Sequence, residues 1–174
     1  MRYAGLINND LTGGPGLSTT FFVQGCPHHC EGCFNQDTWS FEGGQELPND
    51  FLETIVEKLH ENNLDRRFCL MGGEPLCQEN IFLSLLIIQY IKEHSPNTEI
   101  AVWTGYTFEQ LLDSSIVHIE EVLKNIDVLI DGPFIQEQKD LSLFMRGSRN
   151  QRILNLKESL EQCKPILKKE YYEI

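Results

Sequence analysis

The spacing of apolar and polar positions changes along this chain between a two-residue and a 3.6-residue period, and the changes mark the predicted elements. Residues 17–24, rich in Thr, Phe and Val, read as a strand. Before them, residues 1–16 carry little core material, end in the turn-rich Thr12-Gly13-Gly14-Pro15-Gly16 and read as an irregular lead-in. Asn49 is placed to cap a helix reaching about residue 61, with Phe51, Leu52, Ile55, Val56 and Leu59 on one face. Residues 67–71, stopped by Gly72-Gly73, read as a second strand. Residues 81–94 are apolar nearly all round, as in a helix buried against a sheet. A third strand spans about 98–103, and Thr107-x-x-Gln110 matches a capping box ahead of Leu111 and Leu112. Residues 116–124 read as helix, 126–130 as a fourth strand stopped by Asp131-Gly132-Pro133, 152–156 as a fifth strand and 156–163 as a short helix.

Alternating strands and helices predict an α/β fold with a mostly parallel sheet and right-handed crossovers. A closed eightfold barrel takes about 250 residues, so this chain is expected to form an open partial (β/α) barrel or an open doubly wound sheet. Either one binds ligands at the carboxyl ends of its strands. The residues that follow the first four predicted strands are a cysteine cluster, Gly72-Gly73-Glu74-Pro75, Thr104-Gly105-Tyr106 and Asp131-Gly132-Pro133, so all four groups are expected on one rim. The reading is a single domain over 1–174, with 157–174 as a C-terminal extension.

Charge narrows the partners. Asp plus Glu number 26 against 14 Lys plus Arg, a net charge of −12, which argues against nucleic acid and anionic membrane. The amino terminus lacks a signal-peptide run, and the longest apolar stretch, residues 81–91, is broken by Ser84, Gln89 and Tyr90. A cytoplasmic protein is expected, whose six cysteines are reduced thiols and metal ligands.

The cysteine cluster, Cys26-Pro27-His28-His29-Cys30-Glu31-Gly32-Cys33, has C-x3-C-x2-C spacing. Clustered thiolates suit iron–sulfur clusters, zinc or Cu(I). A structural zinc site or a closed four-iron cluster takes four protein ligands, and the local count stops at three unless His28 or His29 supplies a fourth. A four-iron cube held by three thiolates leaves one iron open to a small molecule; a zinc knuckle is the alternative. Gly72 and Gly73 would let the backbone approach a ligand closely, Glu74 offers an acceptor for an ammonium group, and Thr104 and Tyr106 could contact a ribose. Asp131 binds a ligand or caps a turn. Cys69 reads as a small buried hydrophobe; Cys77, Cys163 and the histidines receive no role.

Taken together, these residues resemble the radical S-adenosylmethionine superfamily, on C-x3-C-x2-C after the first strand and Gly72-Gly73-Glu74-Pro75 after the second. Within it the chain is most similar to the activating enzymes of anaerobic (class III) ribonucleotide reductases. That likeness rests on Gly14-Pro15-Gly16, Phe22-Val23-Gln24-Gly25-Cys26, Cys33-Phe34-Asn35 with Thr38-Trp39, Trp103-Thr104-Gly105-Tyr106, Asp131-Gly132-Pro133-Phe134 and Arg146-Gly147-Ser148 with Asn150-Gln151. Many superfamily members carry an aromatic residue before the third cysteine; here Gly32 stands there, with Phe34 just beyond it.

The resemblance implies an open partial barrel of radical S-adenosylmethionine type. Cys26, Cys30 and Cys33 would hold a [4Fe–4S] cluster whose fourth iron is chelated by S-adenosylmethionine. Gly72, Gly73 and Glu74 would receive the cofactor's amino group, Gly32, Cys33 and Phe34 would flank its adenosine, and Thr104 would line its pocket. A low-potential electron donor would drive carbon–sulfur cleavage to a 5′-deoxyadenosyl radical, which removes hydrogen from a glycine of the protein substrate, the anaerobic ribonucleoside-triphosphate reductase. A related activase, a small-molecule radical enzyme and a non-catalytic zinc-binding adaptor are the alternatives. The Gly13–Gly16 loop and the basic residues Arg146, Arg149 and Arg152 are expected near the opening that admits the partner.

Overall fold

The computed structural model of the chain describes residues 1–172. Seven strands are present: β1 (Arg2–Asp10), β2 (Ser18–Val23), β3 (Gln45–Glu46), β4 (Arg67–Gly72), β5 (Ile100–Trp103), β6 (Val128–Asp131) and β7 (Arg152–Asn155). The α-helices are α1 (Phe51–Leu59), α2 (Ile81–His94), α3 (Phe108–Leu112), α4 (Ile119–Leu123) and α5 (Leu156–Gln162). All seven strands join one sheet in the order β3-β1-β2-β4-β5-β6-β7. β2, β4, β5 and β6 run parallel, while β1, β3 and β7 add antiparallel edges. The result is a mixed, mostly parallel α/β sheet that does not close on itself.

The parallel strands advance across the sheet in one direction without reversing. Successive crossovers of one hand then deposit their helices on one face. Accordingly Phe21, Val23, Phe68, Leu70, Ile100, Val102, Leu129 and Leu154 pack with the apolar sides of the helices in a single core cluster. Helix α2 contributes most, burying Ile81, Leu83, Leu85, Ile87, Ile88 and Ile91, each worth roughly 1.5–3 kcal/mol of transfer free energy. The doubly wound alternative is excluded, because it requires helices on both faces.

The other face of the sheet presents Cys69, Ala101, Val128, Ile130 and Ile153, joined by Met71 and Trp103. Among the described residues no α-helix covers it; Phe144, Met145 and Tyr171, the last in a short 3-10 turn, do so instead. The C-terminal segment returns along β7, with Asn155 N–H donating to Ile166 O and Lys168 N–H to Ile153 O, both at 2.9 Å. Tyr171 is thereby buried beside Arg67 and Glu99.

Two expectations change, and a third gains its contacts. The lead-in is largely strand: β1 pairs with β2 and stacks Tyr3 on Phe21 at 5.4 Å. Its alternation is faint because most of its residues are only half-buried. The fourth helix starts at Ile119, later than the pattern suggests, because His118 sits in the left-handed region at φ 69° and breaks the run. The Gly13–Gly16 loop lies at the amino end of β4, where Gly13 O accepts from Arg67 Nη1 and Cys69 Sγ. It packs on the helix-free face against Cys69 and Met145, and Thr12 just before it lines the cavity at the rim.

Candidate functional site

At the carboxyl ends of β2, β4, β5 and β6 lies an open cavity of about 630 Å³. Cys26, Cys30 and Cys33 all line it, together with Phe34, Gly72, Gly73, Glu74 and Thr104. The predicted site residues are thus gathered at one place by three separate loops, and Gly32 adjoins them through Cys33. All three thiols are partly exposed.

Local chemistry explains how the cysteine loop is held. Gln24, almost fully buried, donates from Nε2 to the carbonyls of Ser40 at 2.7 Å and Asp37 at 3.2 Å. Gly25 N–H and Cys26 N–H donate to Thr38 O and Trp39 O at 2.7 and 3.0 Å. The β4 loop is then stitched onto the same segment: Gly73 N–H reaches Val23 O at 2.9 Å and Glu74 N–H reaches Gly25 O at 2.8 Å. A Cβ on Gly73 would stand 2.2 Å from Gly25 O, so the close approach that this glycine permits is to the cysteine loop. Gly32 has φ 71°, and a Cβ there would meet Gln136 Oε1 at 1.9 Å. A side chain at this position would be strained by its backbone and would have to displace the Gln136 side chain, and Phe34, packed edge-on against Phe134 at 5.3 Å, supplies an apolar wall.

Glu74 is buried at 1% exposure and links three loops. Its Oε1 accepts from Leu76 N–H at 2.9 Å and Thr104 Oγ1–H at 2.8 Å; its Oε2 accepts from Gly105 N–H at 2.6 Å and contacts His28 Nε2 at 2.9 Å. Thr104 Oγ1 also accepts from Tyr106 N–H at 3.2 Å. Asp131 takes the capping alternative: it is fully buried, accepts from Phe108 N–H at 2.7 Å and pairs with Arg152. The predicted basic cluster is dispersed by such pairings. Arg152 is held by Asp131 and Glu109, and Arg149 by Asp140, while Arg146 lines the cavity and lies over the Tyr172 ring at 4.4 Å.

The thiols carry amide donors. Backbone N–H groups of His28 and His29 face Cys26, that of Phe134 faces Cys30, and Asn35 N–H lies 3.3 Å from Cys33 Sγ. Burial nevertheless pushes the Cys26 thiol up to about 11, and raises Cys30 as well, with the nearby Cys33 adding to the latter. Empty, these two thiols hold their protons; metal binding displaces them. Among the described residues, no three His, Cys, Asp or Glu side chains converge on a single-ion position. His28 is engaged by Glu74, and His29 is stacked on Trp39 at 4.9 Å, so neither completes a zinc tetrahedron. Three separated soft donors, each met by a backbone N–H, beside an open cavity fit a cluster bound at three corners.

Comparison with known proteins agrees. The family described as "4Fe-4S single cluster domain" matches residues 12–154. The anaerobic ribonucleoside-triphosphate reductase-activating protein of Vibrio cholerae is 41% identical over 154 residues, covering 88% of this chain and 97% of the relative. The chain belongs to this activating-protein family. The Haemophilus influenzae member is 40% identical over 90% of this chain and 99% of its own length, and the member from Enterobacteria phage T4 is 33% identical over 88% and 93%. Residues 155–174 lie beyond the 4Fe-4S domain match.

A second cavity, of about 550 Å³, opens at the opposite end of the sheet beside Arg66 and Arg67. Arg66 donates to the carbonyls of Glu61 and Leu64 and to Asn9 Oδ1, and Arg67 is paired with Glu99. Its cations serve the fold. Cys69 and Cys77 are buried, with thiols pushed up to about 12 by desolvation, and Cys163 lies at the exposed end of α5.

Proposed function

We propose that this protein is the activase of an anaerobic ribonucleoside-triphosphate reductase, and that Cys26, Cys30 and Cys33 hold its [4Fe–4S] cluster. The observation that carries the reading is the convergence of exactly three cysteine thiols on one open cavity at the carboxyl rim, with both neighbouring histidines engaged elsewhere. The one-faced, open sheet supports the reading of a radical S-adenosylmethionine partial barrel, whose face without α-helices would receive ligand and partner. When bound, the cluster and S-adenosylmethionine supply one-electron reductive cleavage of the sulfonium, the chemistry that ends with a glycyl radical on the reductase.

The chain's own residues bind and orient. The N–H groups beside the three sulfurs stabilise thiolates over thiols and tune the potential at which a low-potential donor delivers its electron. Gly72, Gly73 and Thr104 wall the side of the cavity next to Cys26 and would face the cofactor's methionine end. Cys33, Gly32 and Phe34, with Phe134 behind, would flank the adenosine and keep water from it. Arg146 stands at the mouth, where a loop of the reductase would enter.

The test is anaerobic reconstitution with iron and sulfide, followed by mixing with the reductase, a reductant and S-adenosylmethionine. A glycyl radical seen by electron paramagnetic resonance, dependent on each of Cys26, Cys30 and Cys33 and indifferent to Cys163→Ala, is the expected result. A colourless, zinc-loaded protein that yields no radical would refute it.

A further inference from the structure

Between the first two cysteines lie Pro27, His28 and His29, and the sequence pattern offers His28 no task beyond that of a candidate fourth zinc ligand. In the fold its Nε2 lies 2.9 Å from Glu74 Oε2, the two side chains being 18% and 1% exposed. The same carboxylate accepts from Leu76 N–H, Thr104 Oγ1–H and Gly105 N–H. A carboxylate offers about four lone-pair directions; three of them meet these donors and the fourth side is taken by the His28 ring, so the carboxylate is enclosed by protein and turned away from a ligand's ammonium group.

The His28 ring is fitted into that place. Tyr106 meets it edge-on at 4.5 Å between centroids. Gly105 leaves room for it: a Cβ there would sit 2.4 Å from His28 Cδ2. Among the described residues, this is the one side-chain hydrogen bond from residues 26–30 to the loops that follow β4 and β5.

We propose that His28 and Glu74 form a latch that sets the distance between the cluster-binding thiols and the wall made by Gly72-Gly73 and Thr104-Gly105. In this account Glu74 is a positioning residue and acts through His28, not a ligand of the cofactor. The inference rests on the proposed cluster and S-adenosylmethionine reading. A small molecule that chelates an iron and also touches the wall is held at two ends, so the spacing between those ends decides how well it fits. Displacements of about 1 Å at such sites cost roughly a hundredfold, and one hydrogen bond to a charged group is worth about ten- to a hundredfold in an equilibrium constant.

The test uses reconstituted, dithionite-reduced protein, with iron content and the electron paramagnetic resonance spectrum recorded during titration with S-adenosylmethionine. The wild type is expected to show a spectral change that saturates; if it does not, the underlying reading fails before any variant is made, and the latch with it. His28→Ala keeps all three thiols and should hold wild-type iron, yet need at least about tenfold more S-adenosylmethionine for the same change. His28→Gln, whose amide replaces the Nε2 contact, should recover to within about threefold. In the Glu74→Gln background, His28→Ala should add little further loss. A His28→Ala titration identical to wild type, a variant that no longer retains iron, failure of His28→Gln to improve on His28→Ala, or losses that multiply in the double variant would each overturn the latch.

Discussion

Gly73 shows how one residue's missing side chain decides a contact between loops. The position where a Cβ would stand is 2.2 Å from the backbone oxygen of Gly25 and 3.1 Å from its nitrogen. Backbone atoms cannot swing aside as a side chain would, so Gly73→Ala must separate the β4 loop from the cysteine loop. Overpacking of this kind costs about 1–3 kcal/mol. A urea titration of the metal-free protein should show that loss for Gly73→Ala. Gly5→Ala, where an added Cβ meets nothing within 4 Å, should leave the midpoint unchanged or raised. The identity of the three cysteines, and the need for glycine at 72 and 73, are legible in the sequence because both follow from residue chemistry. The pairing of Glu74 with His28 is not, since its 46-residue separation leaves no local pattern.

Among the elements, α3, β6 and β7 are joined by one buried-to-surface network. Arg152 on β7 donates to fully buried Asp131 on β6 at 2.5 Å and to Glu109 on α3 at 2.8 Å. The Arg152 hydrogen bonds hold the Glu109 carboxyl well below its ordinary 4.5, at about 2. A depressed folded-state value contributes stability that is complete above the ordinary value and is lost as pH falls through the folded one. Glu109 is half-exposed, so after screening its share is under about 1 kcal/mol. The stability gap between wild type and Glu109→Gln should therefore be present at neutral pH and close between about pH 4.5 and 2. A gap that stays constant on acidification would show that the pairing contributes nothing. Element type was readable here from the Thr107-x-x-Gln110 box, which forms as predicted; the network was not, because three elements distant in sequence must first be packed together.

For the whole molecule, the consequence of a one-faced sheet is that something other than α-helix must cover the second face. Near the amino ends of the strands the C-terminal segment does this with Tyr171, 6% exposed, against Phe144 at 5.8 Å and beside Arg67. Tyr171→Ala should cost about 3–5 kcal/mol, as for other buried aromatic truncations. Tyr171→Phe should cost about 1–3 kcal/mol, because it keeps the packing and removes only the hydroxyl shared by Arg67 and Glu99. Equal midpoints for the two variants in urea would show that the ring carries no packing role. At the carboxyl ends the same face is left open, and the cavity with its three thiols occupies that opening. Stability and site are thus divided between the two ends of one surface.

From the sequence alone came the four consecutive strand-to-loop clusters, the parallel core with its buried α2, and a thiol set one short of a closed coordination shell. These are short-range properties: periodicity, turn residues and ligand count are all written within a dozen residues of one another. Only the tertiary structure decided that β1 is a strand, that the α-helices share one face, that the Gly13–Gly16 loop packs against Cys69 and Met145, and that Arg149 and Arg152 are tied up by carboxylates. Each depends on partners brought together from far along the chain, and edge pairing, crossover direction and charge neutralisation have no signature until those partners meet.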